Sequence, residues 1–358
     1  MKRAKTWGIE GAARGSVRVA IMLTAGLLTA TGSRGAEPAA KVALIRVGII
    51  GLDTSHATAF TKLLNDASDK QHIPGCRVVA ASPQGSPDIQ SSVSRVADYT
   101  AEVMKHGVEI VDGIPALLER VDVVLLETND GRPHLEQVIP VIAAGKPVFV
   151  DKPVAGSLAD AVAIYRLAAQ RGVPLFSASS LRFGANTLAV RGGSIGAVTG
   201  AETVSPCALE ATHPDLFWYG IHGVESLFTV MGPGCVSVTR THSADFDHVS
   251  GLWDDGRVGC FRGVRRGAAP YAGTAFGEKA TAAVGSFDGY HPLLVEIVKF
   301  FQSGQSPVPA AETLQIYAFM EAADESKRQG GAPVKVADVM EKAEGEATAR
   351  LAALGQNR

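Results

Sequence analysis

The sequence predicts an α/β protein: a Rossmann-type, doubly wound parallel sheet followed by an α+β domain with a large, mostly antiparallel open sheet. Three observations carry this expectation. From Ala43 onward, apolar strand-like runs alternate with helical stretches at the spacing of βαβ units. One run, VDVVLLET (121–128), is almost continuously apolar, as a strand covered on both faces must be. Beyond Gly192 the runs become short, alternating and rich in turn residues, the pattern of antiparallel pairing.

In chain order, ALIRVGII (43–50) reads as the first strand and leads into a helix from about Thr54 to Ala67. CRVVAA (76–81) is the second strand, Val108 to Val111 a short third, and 121–128 the fourth. A helix from His134 to Ala144, closed by Gly145, precedes the strand PVFV (147–150). Ser157-Leu158-Ala159-Asp160 is a capping box that starts a helix ending at Gly172, with Leu158, Ala161, Val162, Tyr165 and Ala168 on one face. PLFSAS (174–179) is a further strand. Strands are then expected in 235–242, 250–264 and 271–284, with a hairpin at Asp255-Gly256. Helices over 292–302, with proline at its first position, and 310–327 complete the pattern.

Of the 358 residues, 46% are hydrophobic and 20% charged, and the formal net charge is −2. That balance gives no basic field for nucleic acid, and no repeat or heptad run points to a solenoid or coiled coil. The lead of the chain carries Lys2, Arg3, Lys5, Arg14 and Arg18, followed by the apolar run 19–32 and Ser33-Arg34-Gly35. This reads as a signal peptide over 1–35, the apolar run being too short to span a bilayer, and implies an exported, periplasmic protein without stable membrane insertion after processing. The expected domains are then 42–153 (dinucleotide-binding) and 154–345 (substrate and oligomerisation). Cys76, Cys207, Cys235 and Cys260 form no C-x-x-C motif, and no disulfide is assigned.

Two stretches resemble the Gfo/Idh/MocA family of sugar and cyclitol oxidoreductases. One is VDVVLLETNDGRPHLEQVIPVIAAGKPVFVDKPVAGSLADAVAIYRLAAQRGVPLF (121–176). The other, WYGIHGVESLFTVMG (218–232), is similar to the helix that carries that family's active-site histidine. The resemblance covers roughly 42–336. It implies hydride transfer between a ring carbinol and NAD or NADP, a carbohydrate-like small-molecule substrate and a homo-oligomer. It also assigns Lys152, in Asp151-Lys152-Pro153, to the substrate hydroxyl, and His222 to its proton. An ammonium beside a developing alkoxide stabilises negative charge. Where the family has an aspartate four residues before the histidine, this chain has Trp218, which either stacks on a sugar ring or packs in the core. Glu225, His213 and Asp215 are further candidates for substrate contact.

The dinucleotide fingerprint departs from its pattern. Gly48 and Gly51 are present, but Asp53 replaces the second glycine and His56 the third, with Thr54 and Ser55 between them. Asp53 either faces the diphosphate or turns to cap the helix amides. A metal pairing Asp53 with His56 has too few ligands to be expected, so no metal is assigned. Ser82 stands near the usual ribose acid, and Thr128, Asn129 and His134, with Asp151, complete the expected cofactor-facing set. Two alternatives stay open: a redox-neutral glycoside-cleaving enzyme that keeps its NAD, and a non-catalytic carbohydrate-binding protein on the same scaffold.

Overall fold

In the computed structural model, residues 44–356 are described. The basic and apolar lead read as an export signal lies outside the described residues. The first strand, Ile45–Ile50 (β1), buries its last four residues and stops at Gly51, whose φ is 93°. A side chain at Gly51 would meet the backbone of Thr128 at 2.5 Å, so glycine lets the turn close on the neighbouring loop. The chain continues through Ser55–Asn65 (α1), Cys76–Ser82 (β2), Gln90–Val93 (α2), Val96–Lys105 (α3), Glu109–Ile110 (β3), Gly113–Leu118 (α4) and Val123–Leu126 (β4). His134–Ala143 (α5), Val148–Val150 (β5), Leu158–Arg171 (α6) and Leu175–Phe176 (β6) complete a six-stranded parallel sheet of order β3-β2-β1-β4-β5-β6.

Every residue of β4 and β5 is buried, as a sheet covered on both faces requires. The sheet runs past the expected boundary at 153, because β6 pairs with β5 in parallel. The capping box holds: Ser157 accepts from the Asp160 amide at 3.1 Å, and Gly172 closes α6 in the left-handed conformation.

A 3₁₀ turn (Ser180–Phe183) and Ala185–Arg191 (α7) lead into the second sheet. Its strands are Val198–Pro206 (β7), Cys235–His242 (β8), Phe246–Trp253 (β9), Val258–Val264 (β10), Ala272–Gly277 (β11), Thr281–Val284 (β12) and Val334–Lys335 (β13). The order is β12-β11-β7-β10-β9-β8-β13, antiparallel except where β7 and β10 run parallel. Asp215–Trp218 (α8) and Ile221–Met231 (α9) lie between β7 and β8, and α9 is buried along its whole length. Gly223 lets α9 approach this sheet, since the Phe261 ring leaves no room there for a side chain. His291–Ser303 (α10) returns to the first sheet, its Leu293, Leu294, Ile297 and Phe300 packing with Phe149 and Phe176. Ala310–Arg328 (α11) follows, and Val336–Gln356 (α12) extends beyond 345 to lie along α6, where Arg350 pairs with Asp160.

Candidate active site

The carboxyl ends of β1, β4 and β5 open into a cleft of about 370 Å³ facing α9, which is where open α/β sheets take their ligands. Among the residues lining it are Thr54, Ser55, His56, Arg95, Asn129, Asp151, Lys152, Trp218, Tyr219 and His222, with Tyr271 and Tyr290 from the far side.

Lys152 and His222 reach the cleft from different elements. Lys152 follows β5 and sits 5.8 Å from the Tyr219 ring centroid. His222 is in the first turn of α9, and its Nδ1 lies 2.7 Å from Ser179 Oγ, which also accepts from the Leu181 amide. That contact fixes the ring orientation. Burial, reinforced by the Lys152 charge, lowers the His222 pKa well below the ordinary histidine value. The imidazole is therefore neutral at neutral pH and able to accept a proton.

Asp53 adopts neither arrangement expected for it. Its carboxylate is buried, with Oδ2 accepting from Ser92 Oγ at 2.6 Å and Oδ1 from the Asn129 amide at 2.9 Å. It caps nothing: the N-cap of α1 is Thr54, without a side-chain cap bond. Among the described residues, the first-turn amides of α1 consequently have no side-chain cap, and Thr54 Oγ1 is buried without a partner. These unspent donors, with Arg95 alongside, fit a phosphate at the helix terminus. The Ser92 bond draws the segment after β2 against Asp53, and Ser86 Oγ of the same segment donates to Asp130 Oδ2 at 2.5 Å.

Several expected site residues face elsewhere. Gly48 packs inside the sheet, where a side chain would meet Val121 at 2.9 Å. Ser82 is buried, and its carbonyl accepts from the Gly51 amide at 3.0 Å. Thr128 Oγ1 donates to Gln137 Oε1 at 3.1 Å, on the outer side of the Asp53 bridge. His134 is fully buried, its Nε2 2.8 Å from the Thr128 carbonyl, and burial lowers its pKa; it braces the loop after β4. His213 Nε2 lies 3.2 Å from Asp130 Oδ1, linking the second domain to that same loop. Asp215 is taken up by Arg240 at 2.7 Å and Lys327 at 2.6 Å. Glu225 is bound by the buried Arg182 beneath α9, out of the cleft. Trp218 is buried and also lines the cleft, with its ring 4.9 Å from His213.

Sequence reasoning missed Glu127, at the foot of the cleft just after β4. His56 Nδ1 lies 2.8 Å from Asp151 Oδ2 and 3.8 Å from Glu127 Oε2. Burial, with the Asp151 charge adding to it, pushes the Glu127 carboxyl well above the usual range. Its signal was present as a lone acid ending the apolar run VVLLE. Ser179, Tyr219, Tyr271 and Tyr290 were also missed, since nothing in their local sequence separates them from core or loop residues.

Residues 45–179 match the family described as "Oxidoreductase family, NAD-binding Rossmann fold" (GFO_IDH_MocA). Inositol 2-dehydrogenase 3 of Saccharopolyspora erythraea is 28% identical over 141 residues, which is 38% of this chain and 36% of that protein's length, so the match spans about a third of this curated relative. Among solved structures, GenD2 from gentamicin A biosynthesis, in complex with NAD, aligns with a TM-score of 0.67 at 18% identity, covering 84% of this chain and 99% of its own. The myo-inositol dehydrogenase of Lactobacillus casei, in complex with NAD(H) and myo-inositol, aligns with a TM-score of 0.64 at 15% identity, covering 82% and 96%. Residues 45–179 are thus similar to the NAD-binding Rossmann domain of the Gfo/Idh/MocA oxidoreductases, and both sheets share the fold of these solved structures.

Proposed function

We propose that this chain is an exported, NAD(P)-dependent oxidoreductase acting on a ring carbinol of a sugar, cyclitol or glycoside, with Lys152 and His222 as its catalytic residues. The observation that carries the reading is the meeting of an ammonium with a neutral, oriented imidazole in one cleft large enough for a small polyol. Lys152 donates to the substrate oxygen and stabilises the alkoxide as it forms. His222 takes the hydroxyl proton, its ring held by Ser179. The α1 amides, Thr54 and Arg95 hold the cofactor's phosphate; when bound, the nicotinamide supplies the hydride acceptor. Trp218 and Tyr219 offer aromatic faces to the apolar side of a ring. The bare face of the second sheet serves as the contact between copies of the chain.

The Ser92–Asp53–Asn129 bridge favours a second reading, a carbohydrate-binding protein on the same scaffold that holds no dinucleotide. Denaturing the purified protein and assaying the supernatant for nicotinamide, then titrating NAD(H) by fluorescence, separates the two. Bound or titratable cofactor supports the enzyme; its absence at millimolar concentration leaves the binder.

A further inference from the structure

The parallel sheet brings three chemically matched side chains to one point. β1, β4 and β5 are neighbours, and directly after their carboxyl ends stand α1 with His56, then Glu127, then Asp151. His56 occupies the fingerprint's third glycine position, so an imidazole enters where helix and strand usually pack without a side chain. One ligand atom from each residue lies within 4.8 Å of the others.

Their hydrogen bonding is incomplete. Glu127 and Asp151 are 0% exposed and His56 5%. Among the described residues, neither oxygen of Glu127 has a hydrogen-bond partner, nor does Asp151 Oδ2 or His56 Nδ1. Asp151 spends only its other oxygen, Oδ1, on the Lys152 amide at 2.7 Å. The His56 nitrogen and Asp151 oxygen come within 2.8 Å without the alignment of a hydrogen bond. Buried polar groups otherwise find partners, and four unpaired atoms in one cluster is an unusual concentration.

We propose that His56, Glu127 and Asp151 bind a first-row divalent cation, of the Zn²⁺ or Mn²⁺ class, at the floor of the cleft. Around such an ion, with bonds of about 2.0–2.2 Å, adjacent donors stand about 3–3.5 Å apart; the separations of 2.8 and 3.8 Å bracket that spacing. Once Glu127 gives up its proton to the incoming ion, as ligands must, the two carboxylates supply a charge of −2, which a divalent ion balances. One nitrogen with two oxygens selects zinc, manganese or iron over the all-oxygen shells of calcium and magnesium. Three protein ligands leave positions free, and since His56 and Asp151 line the cleft while Glu127 is sealed behind them, those positions face the ligand space shared with Lys152. An ion there polarises a substrate oxygen as a Lewis acid.

The site stands independently of the carbinol reading, because its test reads the metal alone. Chelator-stripped protein is titrated with ZnCl₂ and MnCl₂ by calorimetry, and the stoichiometry is read by elemental analysis after gel filtration. One ion per chain is expected for the wild type. Glu127→Gln and His56→Ala should bind at least tenfold more weakly, while Asp53→Asn should bind as the wild type does. Sub-stoichiometric metal in the wild type overturns the proposal, as does unchanged affinity in His56→Ala. Should Glu127→Gln fail to fold by circular dichroism, the cleft-lining His56→Ala carries the same test, with visible absorption of the Co²⁺-substituted wild type as a second readout of nitrogen and oxygen ligation.

Discussion

In the proposed reaction a lysine and a histidine do different work in the cleft, and their variants should separate. Removing the Lys152 ammonium takes away charge stabilisation felt mainly as the alkoxide forms, so Lys152→Ala should lower kcat by about 10²–10³-fold with cofactor affinity unchanged. Equal turnover of variant and wild type would remove Lys152 from the chemistry. His222→Ala should cost about 10²–10⁴-fold, the range for a positioned base. Because burial and the Lys152 charge depress the His222 pKa, the imidazole stays deprotonated into mildly acidic solution. The acid limb of kcat/KM should therefore fall below the ordinary histidine value of 6.5, and a limb at or above 6.5 would assign the proton to another group. Asp53 is tested by Asp53→Gly, which restores the second fingerprint glycine and frees Ser92 and the Asn129 amide. A hydrogen bond to a charged group is worth about 1.5–3 kcal/mol, so NAD(H) affinity should rise roughly tenfold or more in a fluorescence titration. The shared position of Lys152 and His222 in one cleft was legible because each sits in a local motif at fixed spacing; the direction of the Asp53 side chain was not, because its acceptor role depends on Ser92 and Asn129, 39 and 76 residues away.

At the scale of elements, the strands of the first sheet could be read from continuous apolar runs, and α6 from its capping box. The strand β7 could not: Val198–Pro206 mixes Gly200, Glu202 and Pro206 into its length, and its pairing in parallel with β10 is a tertiary choice. The α9 helix is held from beneath by a buried ionic cluster in which Arg182 binds both Glu225 and Glu312, and Arg191 binds Glu312 at 2.9 Å. Truncating Arg182 strands the Glu225 charge, so Arg182→Ala should destabilise by about 3–5 kcal/mol in denaturant titration, whereas an ordinary surface arginine costs less than about 1. A second cluster joins α8, β8, β9 and α11 through Arg240, which reaches Asp215, Asp247 and Asp324. Burial raises the Asp324 carboxyl to about 7, the Arg240 charge opposing it incompletely. A carboxyl raised on folding favours the folded state while protonated. That contribution is complete below 3.8, the ordinary aspartate value kept by the unfolded chain, and is lost as pH climbs through about 7. Asp324→Asn should flatten the fall in melting temperature between about pH 5 and 7.5, a tenfold difference in proton affinity between folded and unfolded chain being worth about 1.4 kcal/mol. An identical slope in both proteins would mean Asp324 is ionised throughout.

For the whole molecule, the two faces of the second sheet are treated differently. Val249, Trp253 and Phe261 point toward α9 and α11 and are buried, while the alternate residues point away. On that outer face Leu252 stands opposite Val258, and Gly200 links Val258 to Phe276, giving an apolar row across β9, β10, β7 and β11. Leu252, Val258 and Phe276 are 40–47% exposed. Alternation in the sequence marked the strands, but which face stays bare follows from where α9 and α11 come to rest, a long-range outcome that no local pattern encodes. A contiguous apolar row on an open sheet marks an interaction surface, and a second copy of the chain would cover it with the same row, as a two-fold contact requires. Light scattering on the wild type should give a mass of at least two chains, and Val258→Lys with Leu252→Asp should shift it to one chain without loss of helical signal. A wild type that is monomeric at tens of micromolar removes the open sheet as a self-contact, and the row must then be explained by a different partner.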